Sequence, residues 1–134
     1  MTVSKSDAYG KATLSISIKH AVQVCRAINR KRLNYAKNLL NNLVEEKKGL
    51  DGKFYTKTAK EILKTLETIE SNAKQKNLDL GGLVVYASAN TGAKQYRSRR
   101  KRKHGVRLKI SNIQIILRGK NGRGKEVRKG SNKE

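Results

Sequence analysis

The chain of 134 residues carries 32 Lys and Arg against 10 Asp and Glu, which gives a formal net charge of +22. This length corresponds to one domain, since ~100–200 residues per domain is usual. So large a positive charge destabilises a compact chain through self-repulsion. We therefore expect a polyanionic partner, and nucleic acid fits better than an anionic membrane surface.

Other features of the composition exclude further classes. No apolar run approaches the ~18 residues that a membrane span requires, and no secretory leader is expected at the polar N-terminus. The single Cys25 cannot form an internal disulfide, which favours a reducing, cytoplasmic compartment. Five Tyr, one Phe and no Trp offer few platforms for stacked bases. Contacts to phosphates and recognition of shape are favoured instead.

The first third of the chain predicts one strand and two helices after a flexible segment at residues 1–10. Apolar and polar residues alternate over Lys11–Ser17, which indicates a half-buried strand. Ser17 is a predicted N-cap for a helix at about 18–29, and a second apolar stripe predicts a helix at about 34–47. Asn29–Arg32 is predicted to be a basic turn between them. Cys25 lies on the first apolar stripe and is expected to be buried.

A third helix is predicted at about 57–76. Thr58 and Glu61 have the spacing of a capping box. Asn77 is a predicted left-handed C-cap. The apolar stripe of this helix contains Leu66, which we expect to face the sheet.

A long β-hairpin is predicted over residues 83–117. Leu83–Asn90 alternates as a strand, and the return strand has apolar residues at even positions up to Ile110 and at odd positions from Ile113. This change of phase at Ser111–Asn112 predicts a bulge or a strong bend, because a shift by one residue reverses the buried face.

The connection between these strands is the most basic part of the chain. Lys94–Lys109 contains nine Lys or Arg and no acid, and no Asp or Glu occurs between Asp79 and Glu126. Cations this close together repel one another, so the segment should order against a polyanion. Its position between two strands favours nucleic-acid contact over a solvated linker or a localisation signal.

These elements predict an α+β fold: three helices packed on a small three-stranded antiparallel sheet, with a long protruding basic β-hairpin. Residues 11–118 are expected to form one domain, followed by a basic tail at 119–134. No catalytic grouping, metal-ligand spacing or cofactor motif is present, so no enzymatic role, metal or cofactor is expected. His20 fits a solvated side chain and a ligand contact equally well, whereas His104 lies in the basic segment and favours contact.

Several short motifs are specific enough to compare with known families: Ser71-Asn72-Ala73 and Asn77-Leu78-Asp79 at the end of the third helix, Ser17–Val22 at the start of the first, the Ile28–Lys31 turn and Arg102–Gly105 in the hairpin. They resemble motifs of the large-subunit ribosomal protein L22 family. Together the matches span about residues 12–118. The sequence motif at the end of the third helix resembles archaeal or eukaryotic members of the family rather than bacterial ones. The chain departs from the family in having no proline, and in having Asn29-Arg30 where the family has Arg-Gly.

The resemblance implies a structural constituent of the large ribosomal subunit that binds rRNA. It implies that the hairpin lines the nascent-peptide exit tunnel, beside a ribosomal protein of the L4 family and in contact with the nascent peptide. No membrane partner or homo-oligomer is expected. The residues expected to bind rRNA are Lys19, His20, Arg26, Arg30, Lys31, Arg32, Lys57, Lys94, Tyr96, Arg97, Arg99, Arg100, Lys101, Arg102, Lys103, His104, Arg107 and Lys109.

The alternative is a free-standing RNA- or DNA-binding regulator, which the charge alone would equally allow. A membrane-active basic protein is disfavoured, because the predicted helices lack a Lys-rich face opposite bulky aromatic anchors.

Overall fold

The computed structural model describes residues 3, 7–99 and 102–119. Within these residues lie three helices, four strands and one short 3-10 helix. The elements are β1 (Ala8–Leu14), α1 (Ile18–Ile28), β2 (Lys31–Arg32), α2 (Leu33–Val44), α3 (Thr56–Gln75), the 3-10 helix (Leu80–Gly82), β3 (Leu83–Thr91) and β4 (Ser111–Gly119). The predicted α+β class and the three helices are confirmed. No described helix has the length and apolar character that crossing a bilayer demands.

The strands form one antiparallel sheet in the order β1-β4-β3-β2. β1 pairs with β4 from Ala8 opposite Leu117, and β3 pairs with β4 from Leu83 opposite Gly119. The prediction of three strands was wrong by one, because the expected turn after α1 contains the two-residue strand β2. Arg30 N–H donates to the carbonyl of Val85 at 2.7 Å, and this contact brings the turn against the free edge of β3.

β1 begins at Ala8 rather than at Lys11, so residues 8–10 of the predicted flexible segment belong to the sheet. Asp7, immediately before the strand, is 1% exposed and holds Arg118 of β4 in an ion pair at 2.9 Å. This contact raises the pKa of the Arg118 guanidinium, through its hydrogen bond and charge interaction with Asp7. The Asp7–Arg118 ion pair therefore fixes the start of β1, at the end of its pairing with β4.

The core is a single apolar cluster between the helices and one face of the sheet. Val85 and Ala87 of β3 and Ile113 of β4 project into it, and so does Leu66 of α3, which is fully buried. β1 approaches α3 closely at Gly10, where an added Cβ would lie 2.3 Å from Cγ1 of Ile69. Glycine is therefore required for this strand and helix to pack together.

The helix ends only partly follow the sequence expectations. Ser17 does occupy the N-cap of α1, but its side chain makes no capping hydrogen bond. The expected capping box of α3 was wrong, since Tyr55 is the N-cap and Thr58 is 3% exposed inside the first turn. Asn77 has φ +54°, as predicted, and the carbonyl of Ala73 accepts from Leu78 N–H at 3.1 Å. These features make the end of α3 a Schellman motif.

The hairpin continues beyond the sheet with a shift in pairing of one residue. Gly92 N–H donates to the carbonyl of Ile110, which continues the β3–β4 register of the sheet. Further out, Leu108 N–H donates to the carbonyl of Gln95, and this pairing is shifted by one residue from that register. The extra residue therefore lies in the outgoing arm between Gly92 and Gln95, and the β3–β4 register is continuous up to Ser111. A break was correctly predicted from the apolar pattern, but it was assigned to the wrong arm.

Candidate nucleic-acid interface

A groove of about 650 Å³ lies between the domain body and the base of the hairpin. The body contributes the β1–α1 turn and the start of α3, and the hairpin contributes both of its arms. The cationic side chains that line the groove are Lys53, Lys57, Arg97, Arg107 and Lys109. None of its lining residues is a carboxylate, so the groove is a strongly electropositive concave surface.

Among the residues that the structure describes, these five cations have no acidic partners. Of the ion pairs within the described residues, none involves a cation of the groove. Lysines on the helices behave differently: Lys64 lies 3.6 Å from Glu61, and Lys74 lies 3.3 Å from Glu70. Lys64 and Lys74 of α3 are therefore compensated by acids of the same helix, whereas the groove cations, Lys57 of α3 among them, are not.

An aromatic pair forms part of the groove wall. The rings of His20 and Tyr55 have centroids 5.0 Å apart and are inclined at 58°. Tyr55 has φ +49°, a left-handed conformation at the start of α3. His20, which the sequence could not assign, is thus exposed on α1 at the edge of a cationic cavity rather than on an isolated solvated face.

The helix starts beside the groove have an unusual charge distribution. The first turns of α1 and α3 contain no acid. Lys19 and Lys57 lie there instead, one residue into the respective helices. A cation at a helix N-terminus opposes the helix dipole, which typically changes stability by about 0.3–1 kcal/mol. A bound anion would remove this repulsion.

The remaining body cations form a second basic region, around β2. Arg26 lies in the last turn of α1, and Arg30, Lys31 and Arg32 follow it; all four are exposed. Lys31 Nζ lies 5.7 Å from the ring centroid of Tyr35 on α2. The structure therefore separates the predicted body residues: His20 and Lys57 line the groove, Lys19 lies beside it in the first turn of α1, and the other four lie around β2.

The outer hairpin carries exposed cations with little apolar support. Tyr96 is 59% exposed and forms an antiparallel bridge with Arg107. The other exposed residues of the predicted tip are Lys94, Arg99, Arg102, Lys103 and His104. Arg100 and Lys101 lie outside the described residues, as does the predicted tail beyond Gly119.

Sequence reasoning missed Lys53 and Tyr55 as members of the groove. Both lie in the connection between α2 and α3, which has no apolar periodicity and contains acidic and apolar residues as well as Lys. Their inclusion depends on the hairpin base folding back toward that connection. The only local signal was the uncompensated charge of Lys53 beside Lys57.

The residues of this surface are suited to binding a ligand rather than to catalysis. Lys and Arg present N–H donors and positive charge, which are the groups that contact phosphate oxygens. Cys25 is 3% exposed, and burial raises the pKa of its thiol to about 12, so it is a poor nucleophile at neutral pH. Across the described ranges, no three His, Cys, Asp or Glu side chains group as metal ligands.

Comparisons with known proteins agree with this architecture. Residues 9–118 match the family described as ribosomal protein L22p/L17e. The chain is 38% identical over 99 residues to the large ribosomal subunit protein uL22 of Archaeoglobus fulgidus, an alignment covering 59% of this chain and 64% of that relative. It is 33% identical over 132 residues to the uL22 protein of Sulfurisphaera tokodaii, covering 75% of this chain and 81% of that relative. For the Methanoregula boonei uL22 protein, identity is 32% over 136 residues, covering 83% and 88%.

The fold and its surface define a small α+β protein with a strongly basic groove and hairpin. The match over most of the chain then makes the assignment specific: the chain belongs to the ribosomal protein L22p/L17e family. The resemblance seen in the helix and hairpin motifs is therefore confirmed, including its archaeal character. Members of this family are structural proteins rather than enzymes.

Proposed function

We propose that this protein is a structural constituent of the large subunit of cytoplasmic ribosomes and that it binds large-subunit rRNA. The observation that carries the proposal is the uncompensated basic surface, which runs from the groove along the hairpin in a family of ribosomal proteins. Phosphate contacts fix the position of a protein on nucleic acid. The groove, the β2 region and the hairpin are the three surfaces through which such contacts are made.

The hairpin has the form expected of an element that penetrates RNA. Its base is paired in the sheet, while its outer part carries exposed cations and no acid. We assign it to the wall of the nascent-peptide exit tunnel, where the tip lies beside a protein of the L4 family and contacts the nascent peptide. The resemblance of Arg102–Gly105 to the tip of the family hairpin supports this assignment.

Sedimentation of ribosomes distinguishes this function from that of a free regulator. An epitope-tagged chain should be found almost wholly with large subunits, and it should remain with them when Mg²⁺ is chelated and the two subunits separate. A tagged small-subunit protein is the matched control and should leave with the other particle. Recovery of the tagged chain mainly in the ribosome-free fraction would favour the regulator instead.

Cryo-electron microscopy of the same particles tests the tunnel assignment. Density for the hairpin should follow the tunnel wall, with its tip beside the L4-family protein. A hairpin that ran along the outer surface would contradict the assignment without affecting subunit membership.

A further inference from the structure

The cations of the hairpin fall into two structural sets. Arg97, Arg107 and Lys109 line the groove together with Lys53 and Lys57 of the body, whereas Arg102 and Lys103 lie further out and do not line it. The hydrogen bond from Arg97 N–H to the carbonyl of Val106, at 3.1 Å, fixes the two arms relative to each other at this level. The inner cations therefore belong to a site shared between body and hairpin.

Within the described part of the chain, the positive charge of the shared site has no acidic partner. Five cations converge on one cavity without a lining carboxylate. Like charges near a protein surface are screened less than in bulk water, so such a cluster repels itself. Of the acids on α3, Glu61 and Glu70 pair with Lys37, Lys64 and Lys74. A negatively charged ligand would compensate the charge of the groove.

The shape and lining of the cavity indicate a ligand larger than a single small anion. Its volume of about 650 Å³ lies within the ~300–1,000 Å³ of pockets that enclose organic ligands. The wall combines the cations with Leu108, the half-exposed Val106 and the His20–Tyr55 pair. A lining that combines cationic and apolar side chains suits a sugar–phosphate chain, because the cations can contact phosphates and the apolar side chains can pack against the ribose carbons.

We propose that this groove binds one strand of an RNA sugar–phosphate backbone, and that the strand bridges the body and the hairpin base. The inference rests on the proposed function, since it specifies which part of an RNA-binding surface is a built site. The bound strand holds the hairpin at a fixed angle to the body. The outer cations act separately, on whatever surrounds the tip.

Salt-dependent binding of a labelled uridine homopolymer to the full-length chain tests the site. The groove variant carries Lys53→Gln, Lys57→Gln and Lys109→Gln; the control carries Lys47→Gln, Lys64→Gln and Lys74→Gln, which removes the same formal charge from ion-paired lysines. Each phosphate contact on a single strand contributes about 0.7 to the slope of log K against log salt. The groove variant should therefore lose about two units of slope, and the control should keep the wild-type slope.

Equal losses in the two variants would overturn the proposal, because net charge alone would then explain binding. A second arm uses polyglutamate as competitor. It should displace the wild-type complex only weakly, whereas displacement as effective as that by unlabelled uridine homopolymer would show a surface that selects charge and not a nucleic-acid backbone. Circular dichroism confirms that each variant is folded.

A tethered probe separates failure of this site from failure of the proposed function. Because Cys25 is buried, a Val106→Cys variant carries a single reactive thiol, to which an iron chelate can be attached for hydroxyl-radical cleavage in assembled subunits. Strong cleavage confined to a short rRNA segment supports the groove; an exposed Asn41→Cys on α2 serves as control and should cut less. Incorporation of the Val106 probe without local cleavage would reject the groove and leave subunit membership intact.

Discussion

Arg30 adopts a backbone conformation that is unfavourable for a residue with a side chain. Its φ is +60°, in the left-handed region, and its N–H donates to the carbonyl of Val85 at 2.7 Å. That hydrogen bond ties the turn after α1 to the sheet edge, so the conformation is imposed by pairing. The L22 family has glycine here, as the sequence resemblance implies. This chain therefore combines backbone strain with an exposed cation beside β2.

Arg30→Gly should make the free protein more stable while weakening its binding to RNA. Left-handed backbone costs a non-glycine residue roughly 1–2 kcal/mol, part of which is offset by glycine's larger entropy in the unfolded chain. We expect a net gain of about 1 kcal/mol in the free energy of urea unfolding. Arg30→Asn, which tolerates this conformation, is the control and should lie between the two. Destabilisation by glycine would show that the side chain contributes more than the strain costs.

Glu70 joins α2 to α3 through two lysines. It forms an ion pair with Lys37 on α2 and lies 3.3 Å from Lys74 on its own helix. The hydrogen bond from Lys37 is the main cause of a pKa for Glu70 below its ordinary value of 4.5, although burial acts in the opposite direction. Because the pKa of Glu70 is lower in the folded protein than in the unfolded chain, its carboxylate stabilises the fold only while it is ionised.

This dependence gives a pH prediction. The contribution of Glu70 should be fully present above its unfolded pKa of about 4.5, and it should be lost as pH falls through the lower folded-state pKa. Glu70→Gln should therefore reduce the free energy of unfolding at neutral pH by about 0.5–1 kcal/mol, a usual magnitude for a partly exposed pair, and the difference should vanish in acid. Urea titrations from neutral to acidic pH measure it. The exposed Glu67→Gln should show no such trend.

At the scale of elements, α3 organises the helical layer, because it packs against α2 and against the sheet. Its residues Ile62 and Leu66 are completely buried, and Leu63 is partly buried against the same cluster. Leu66→Ala should cost about 2–5 kcal/mol, as buried truncations do, and Leu63→Ala should cost clearly less. Incorporation into ribosomes at elevated temperature is the measurement. Equal incorporation of the Leu66 variant and the wild type would mean that the helix does not depend on this packing.

The helices could be predicted because their apolar stripes repeat over several turns, and their ends fall within three residues of expectation. β2 could not be, since Lys31 and Arg32 are both exposed and carry no alternation. The strand exists only because the edge of β3 lies beside it. The capping box failed for a similar reason: Thr58 is buried by tertiary packing, and the left-handed Tyr55 starts the helix instead.

The groove was predictable only in part. Arg97, Arg107 and Lys109 were identified by the charge density of the hairpin, and Lys57 was predicted among the body cations, but their convergence depends on how the hairpin base meets the β1–α1 turn. The change of apolar phase indicated a break in the hairpin. It could not reveal which arm contains the extra residue, because a shift of one residue alters the relative register of both arms equally.

At the scale of the whole molecule, we expect the body to fold and assemble without the hairpin tip. Replacing residues 98–105 with Asn-Gly tests this better than deleting Tyr96–His104, which would also remove Arg97. The replacement keeps Arg97 opposite Val106, a hydrogen-bonded pair that a two-residue turn can close. Removing a surface connection has little effect on a core to which it does not contribute.

Large subunits assembled in cells that express this shortened chain should contain it and should have a wider tunnel. Cryo-electron microscopy measures both, and altered sensitivity to drugs or nascent peptides that act at the constriction should accompany the change. The longer deletion, which also removes Arg97 from the groove, should assemble less well. Absence of the shortened protein from the particles would make the tip the principal attachment, contrary to the proposal.

The strand order has a consequence for how the protein is made. Ala8, at the start of β1, pairs with Leu117, near the end of β4. During synthesis, β1 and one edge of β3 therefore remain unpaired until β4 emerges. Pairings between such distant residues form slowly, and an unfinished sheet with open edges is prone to aggregation. A nascent chain of this charge would also attract stray RNA. We expect its folding to be completed only after β4 has emerged, so shielding the unfinished chain from aggregation and from stray RNA until then should raise its yield.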